Sequence, residues 1–166
     1  MTTRHIVPPA LQGVYDQWHF APAVVRNGLI FCSGIIGTSA DGNPPPGLRT
    51  GAQLRAGGSA ALDGAQARTD QGAGLTALQA VRDPEAQFAT AFEALRSILN
   101  SAGADLCDVI ELTSYHVDIS THMDVFCRVR DGYLSAPWPA WTAIGVAELV
   151  VPGGLVELRA VAAMPG

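Results

Sequence analysis

Glu157 is the only carboxylate inside LVELRAVAA, an otherwise largely apolar run near the C-terminal end of the chain. Strand alternation puts Leu155, Glu157, Arg159 and Val161 on one face, and Val156, Leu158, Ala160 and Ala162 on the other. A carboxyl group among apolar neighbours keeps its proton to higher pH unless a cation pairs with it, and it can then exchange that proton near neutrality. Two roles are therefore open to Glu157: proton handling, or an ion pair with Arg159 or with an edge-strand partner. His116, in TSYHVD, is the second candidate. It is either a hydrogen-bonded structural histidine or an acid–base group, and Ser114 and Asp118 share its strand face, where they can fix its tautomer. His122 lies six residues further on, which is not a metal-ligand spacing, and Cys127, five residues beyond His122, would not share its helix face well. The chain has no phosphate-binding G-x-x-x-x-G-K-[ST], no G-x-G-x-x-G, no H-E-x-x-H and no G-x-S-x-G. No metal and no cofactor are expected.

The elements that must hold these groups are legible in outline. Asn27-Gly28 separates two apolar runs and favours the positive φ angles of a tight hairpin turn. The second run, Leu29 to Ile36, predicts a strand, and Gly34 within it predicts a bulge or a close approach. Asp83 can cap a helix that opens with Pro84 and Glu85, carries Phe88, Phe92, Leu95 and Leu99 at helical spacing, and ends at Asn100 to Gly103. Val109 to Val117 predicts a strand. Thr121 with Asp124 resembles a capping box for a second helix, whose apolar stripe is Met123, Phe126, Val129 and Tyr133. Trp141 to Leu149 and Leu155 to Ala163 predict two further strands, joined by a turn at Pro152-Gly153-Gly154. The order is β-β-α-β-α-β-β, with a possible short strand at His5 to Val7. It implies an α+β domain, one sheet with both helices on one face. Nothing in the chain remains to cover the other face, so a second subunit is expected there.

The size is that of one domain, 1–166, with a Gly/Ala/Pro-rich insertion at about 38–82 that has no aromatic residue. That stretch reads as an inert surface insertion, or as a lid or oligomer contact, with a helical turn around Gly74 to Val81. Charged residues make up 15%, below the usual quarter or so for soluble domains, which fits a surface partly buried in an oligomer. The net charge is −5 and the one notable pair of cations is Arg128 with Arg130, so a nucleic-acid partner, which needs a basic stripe, is disfavoured. Three cysteines with no C-x-x-C suit a reducing compartment, and Cys32 sits in an apolar run as a small hydrophobe. No run reaches membrane-spanning length, and the N-terminal residues lack a signal-peptide core. A cytoplasmic protein with no membrane partner is expected.

Three segments together resemble the reactive-intermediate deaminase (RidA/YjgF) family. FAPAVVRNGLIFCSG is similar to its opening hairpin, QFATAFEALRSILNSAGADLCDVIELTSYHVD to its first helix and following strand, and PAWTAIGVAEL…PGGLVELRAVAA to its C-terminal signature. The resemblance covers residues 20–37 and 84–164. It implies a chorismate-mutase-like α+β fold, a homotrimer, and inter-subunit clefts that hydrolyse an enamine or imine to a ketone and ammonia. Carried over by position, the family's water-holding glutamate is Glu157, its serine–glycine pair is Ser33 and Gly34, its tyrosine is Phe20, and the asparagine of its second helix falls near Phe126. Its carboxylate-binding arginine is Trp141, and a cysteine often found two residues later is Ala143. These departures imply weak action on small 2-iminoacids and a larger, flatter, less anionic ligand stacked on Trp141. They resemble a divergent branch lacking the arginine. The expected site therefore has Glu157 and His116 as catalytic groups and Trp141, Phe20, Ser33, Gly34 and Phe126 as substrate-binding ones, with Trp141 and Glu157 meeting in one cleft. The alternative is a non-catalytic small-molecule-binding or chaperone-like trimer. Ribonuclease activity, an old label for the family, is disfavoured by the acidic charge.

Overall fold

Asn27 and Gly28 adopt φ values of +53° and +75°, the left-handed pair a tight hairpin needs, and join β2 (Ala23–Arg26) to β3 (Leu29–Cys32). The computed structural model describes residues 2–50 and 78–166. A short β1 (Arg4–Ile6) pairs with β2, and a small helix α1 (Gln12–Trp18), absent from the sequence expectations, lies between them in the chain. The apolar run after the turn breaks at Ser33-Gly34 into β3 and β4 (Ile35–Ile36), and both pair with β9 (Val156–Ala163). Gly34 is thus the irregularity the sequence predicts.

The part of the expected insertion that is described is ordered at its base. β5 (Thr38–Ser39) pairs antiparallel with β6 (Gln79–Ala80), and Arg82 donates to Asn43 Oδ1 at 3.0 Å and to the Asp41 carbonyl at 2.8 Å. The helical turn expected around Gly74 to Val81 is a strand at Gln79–Ala80; residues 74–77 of that segment lie outside the described residues.

The first long helix begins and ends as expected. In α2 (Pro84–Ala102) the Asp83 carboxylate accepts the Ala86 N–H at 2.8 Å, and Gly103 closes the helix at φ +95°. The second, α3 (Ile119–Tyr133), starts three residues earlier than the Thr121–Asp124 pattern implies. Asp118 turns the chain at φ +50° with no side-chain cap, so Thr121 falls inside the first turn. Phe88, Phe92 and Phe126 interlock between the helices, with ring centroids 5.7 and 6.0 Å apart, and Phe92 stacks on Tyr133 at 5.1 Å.

β7 (Val109–His116) occupies the position that decides the site. It pairs antiparallel with β9 on one side and parallel with β8 (Ala140–Gly145) on the other. The sheet order is β1-β2-β3-β9-β7-β8. The expected β8–β9 hairpin is therefore not formed: β7, α3 and β8 make a parallel crossover unit, which separates the last two strands. Val156, Leu158, Ala160 and Ala162 face the helices in the core, as alternation predicts, while Glu157 and Arg159 lie on the opposite face. Among the described residues nothing covers that second face, where Phe31 and Ile144 are each about two-fifths exposed.

Candidate functional site

The expected site residues fall into two groups on opposite faces of the sheet. The first surrounds Glu157, which pairs with Tyr115 on β7 and Ile36 on β4. Its carboxylate occupies the space that a Cβ on Gly34 would need, so a side chain there would have to displace the carboxylate. The bland alternative, a pair with Arg159, is not realised: Arg159 lies 3.5 Å from Glu111, and no ion pair to Glu157 occurs among the described residues. Half-burial without a cation raises the Glu157 pKa above the usual carboxylate range through desolvation. Ser33 is a latch: its Oγ donates to the Ala21 carbonyl at 2.7 Å and its N–H to the Pro22 carbonyl at 2.9 Å. The hydroxyl is engaged in holding the start of β2 against β3, one residue from half-buried Phe20.

The second group lies at the β8 edge, on the helix side. Trp141 pairs in register with Leu112, so its side chain points to the face of Leu112, Ser114 and His116 and not to that of Glu157. Three contacts hold the indole. Its Nε1–H donates to Ser114 Oγ at 2.9 Å, its ring stacks 6.0 Å from Phe126, and the Arg130 guanidinium carbon sits 4.1 Å from its centroid. It nevertheless remains 38% exposed. Phe126 is completely buried and supports the indole from the core, which corrects the expectation that it walls an open cleft.

His116 is also completely buried, edge-on to Phe126 at 4.6 Å, with Nε2 2.8 Å from Ser114 Oγ. Ser114 orients the ring as expected, whereas Asp118 is spent on turning the chain into α3. Burial pushes the His116 pKa down to about 4, so the ring is neutral at physiological pH. It faces away from Glu157, because the two sit at adjacent register positions, His116 on Val156 and Tyr115 on Glu157. Glu157 and His116, the two expected catalytic groups, therefore lie on opposite faces of the sheet within one chain. Its Nδ1 has no partner among the described residues.

Two contributors were not singled out from sequence. Arg130 appears there only as half of a cation pair, though its spacing of four from Phe126 puts both on one helix face. Gln87 is fully buried: its Nε2 donates to the Val81 carbonyl at 2.8 Å and the Gly153 carbonyl at 3.1 Å, and its Oε1 accepts the Leu155 N–H at 2.6 Å. It ties α2 to the segment that leads into Glu157. Nothing in the local sequence distinguishes it from a surface glutamine. The described residues contain no cluster of three or more His, Cys, Asp or Glu side chains placed to hold a metal, and no helix long and apolar enough to cross a membrane. Cys32 is buried, and burial raises its thiol pKa to about 12, as befits a core hydrophobe.

The family profile described as Endoribonuclease L-PSP matches residues 53–164, the larger part of the chain. The chain belongs to the RidA/YjgF family. The RutC family protein YjgH of Escherichia coli (strain K12) is 26% identical over 161 residues, covering 96% of this chain and 94% of that protein. The solved structure of protein YjgH is similar with a TM-score of 0.69 at 23% identity, covering 100% of this chain and 99% of the other. Rv2704 of Mycobacterium tuberculosis, a YjgF/YER057c/UK114 family member, follows at 0.66 and 20%, covering 98% and 100%. RidA from the Antarctic bacterium Psychrobacter sp. PAMC 21119 has a TM-score of 0.63 at 21% identity, covering 97% and 100%. These likenesses establish for the RidA-like chain an α+β fold with a mixed sheet and three helices.

Proposed function

We propose that this RidA-family protein hydrolyses an enamine, an imine or a related C–N substrate in a cleft between subunits of a chorismate-mutase-like homotrimer. The observation that carries the proposal is Glu157: a half-buried carboxylate with a raised pKa, seated over Gly34, with no cation partner and nothing covering its sheet face among the described residues. Such a group can hold a water and take its proton as the oxygen adds to the imine carbon. Returning that proton to nitrogen gives the carbinolamine, and moving its hydroxyl proton to the same nitrogen through the carboxylate breaks the C–N bond, releases ammonia and leaves the ketone. His116, buried and neutral, supports the fold of the Trp141 group and is not given a share in proton transfer.

The separation of Trp141 and Glu157 on opposite faces favours a composite site, in which the β8 edge of one subunit meets the Glu157 face of another. The pinned yet exposed indole suits a flat substrate body better than a small 2-iminoacid. Ammonia release from a panel of imines and aromatic enamines generated in situ tests the proposal. Turnover is expected on flat substrates, with 2-iminopropionate poor and Glu157→Gln reducing kcat by about 10²–10⁴ with little change in KM. Turnover unchanged in Glu157→Gln would remove Glu157 as the proton-handling group, and ammonia release from none of the panel would leave the alternative, a non-catalytic binding or chaperone-like trimer. Light scattering should give a trimer mass; a stable monomer would remove the composite cleft.

A further inference from the structure

We infer that Arg130 and Trp141 together form a recognition site for a planar carboxylate, an aromatic or conjugated acid whose body lies on the indole and whose carboxylate meets the guanidinium. The inference deepens the proposed reading, because it gives the flat substrate of the β8-edge cleft a charged end. Trp141 is held by Ser114, Phe126 and Arg130 while leaving part of its surface in solvent, so a ligand would find it already ordered. The guanidinium is held as well. Arg130 Nε and Nη2 donate to Asp131 Oδ1 at 2.9 and 2.7 Å, and its side chain is only 18% exposed. A guanidinium has two edges able to grip a carboxylate with paired N–H donors. Asp131 engages the Nε/Nη2 edge, and Nη1 donates to no acceptor among the described residues, so the end edge formed by Nη1 and Nη2 remains open to a ligand. A cation held over part of an aromatic surface, here 4.1 Å from the indole centroid, is selective for a flat anion that meets its open edge and covers the rest of the ring, over a flat neutral molecule and over a small aliphatic anion.

Benzoate, its neutral counterpart benzamide, and acetate serve as probes for the purified full-length protein, read through the indole Nε1–H NMR resonance that Trp141→Phe removes. Benzoate should bind at least about tenfold tighter than benzamide, the range of a charged hydrogen-bonded contact, and tighter than acetate. Arg130→Gln should bring benzoate down to the level of benzamide and leave benzamide unchanged. Arg130→Lys, which keeps the charge without the fork, should fall between, and it replaces Arg130→Gln if that variant fails to melt cooperatively. Equal affinities for benzoate and benzamide, an anion preference that survives in Arg130→Gln or is undiminished in Arg130→Lys, or a resonance moved by neither aromatic probe up to its solubility would overturn the site. Failure of the imine panel with Arg130-dependent benzoate binding intact would count against hydrolysis alone. Turnover without anion preference would count against this site alone.

Discussion

Replacing Gln87 with leucine removes a buried polar clamp while nearly preserving its volume, and the structure permits its cost to be apportioned. The Val81 carbonyl loses its bond from Gln87 Nε2 at a fully buried residue, which costs about 1–3 kcal/mol. The Leu155 N–H, at a half-buried residue, loses its bond to Oε1 at a cost of about 1 kcal/mol. Gly153 is exposed, so its carbonyl can turn to water and contributes little. Burying the leucine side chain offsets about 1 kcal/mol. The net expectation is a loss of about 2 kcal/mol, a fall of roughly 1 M in the urea midpoint, measured at one fixed protein concentration because an oligomer's stability depends on it. Gln87→Glu adds a pH signature. Its carboxylate would be ionised at a site without solvent, so its folded pKa lies above its unfolded one; the resulting penalty is present at neutral pH and disappears as pH falls and the carboxyl gains a proton to donate. A Gln87→Leu midpoint within roughly 0.2 M of the parent, or a Gln87→Glu penalty that does not ease on acidification, would show that the clamp is not what anchors the approach to Glu157.

A Cβ at Gly37 would collide with the Gln87 carbonyl and lie 3.1 Å from Ala91 N, so Gly37→Ala should destabilise by about 3 kcal/mol or more in the same urea assay; a loss below about 1 kcal/mol would show that the strand can lift off α2 cheaply. The folded His116 pKa of about 4 lies below its ordinary 6.5, so the unfolded chain takes up the proton first: stability should fall between pH 6.5 and about 4, by at most about 3 kcal/mol, then level off. His116→Gln should flatten that part of the profile; an unchanged profile would exclude His116 as its source. Glu157 is shifted the other way, its folded pKa raised by desolvation, so its ionised form weighs against the fold at neutral pH. Glu157→Gln should therefore melt higher than the parent near pH 7.5, with the gap closing as pH drops through the carboxylate range, and an equal or lower melting temperature would mean that an unseen cation pairs with it.

Local chemistry was enough to specify much of this protein from its residues alone. Asn27-Gly28 specifies its turn because few other pairs tolerate two positive φ angles, and Asp83-Pro84 with Gly103 mark both ends of α2 for reasons confined to single residues. The alternation of LVELRAVAA told which face of β9 would be buried, since Val156, Leu158, Ala160 and Ala162 are apolar and Glu157 and Arg159 are not. The family, too, was legible, because its matching segments are contiguous stretches of chain. The meeting of side chains was not. AWTAIG is apolar or small on both faces, so no alternation says which way Trp141 points; its pairing with Leu112 across the parallel β7–β8 ladder decides it. That ladder also puts β7 between β8 and β9, a choice made by the α3 crossover and not by any residue of either strand. The start of α3 rests on the backbone of Asp118 and not on a side-chain cap that could be read from its sequence. Gln87 and Arg130 carry no local mark of their roles, since a glutamine becomes a clamp, and an arginine a stacked cation, only through groups brought from 66 and 11 residues away. Contacts over such separations depend on strand order and register, which are settled by the packing of the whole sheet against its helices.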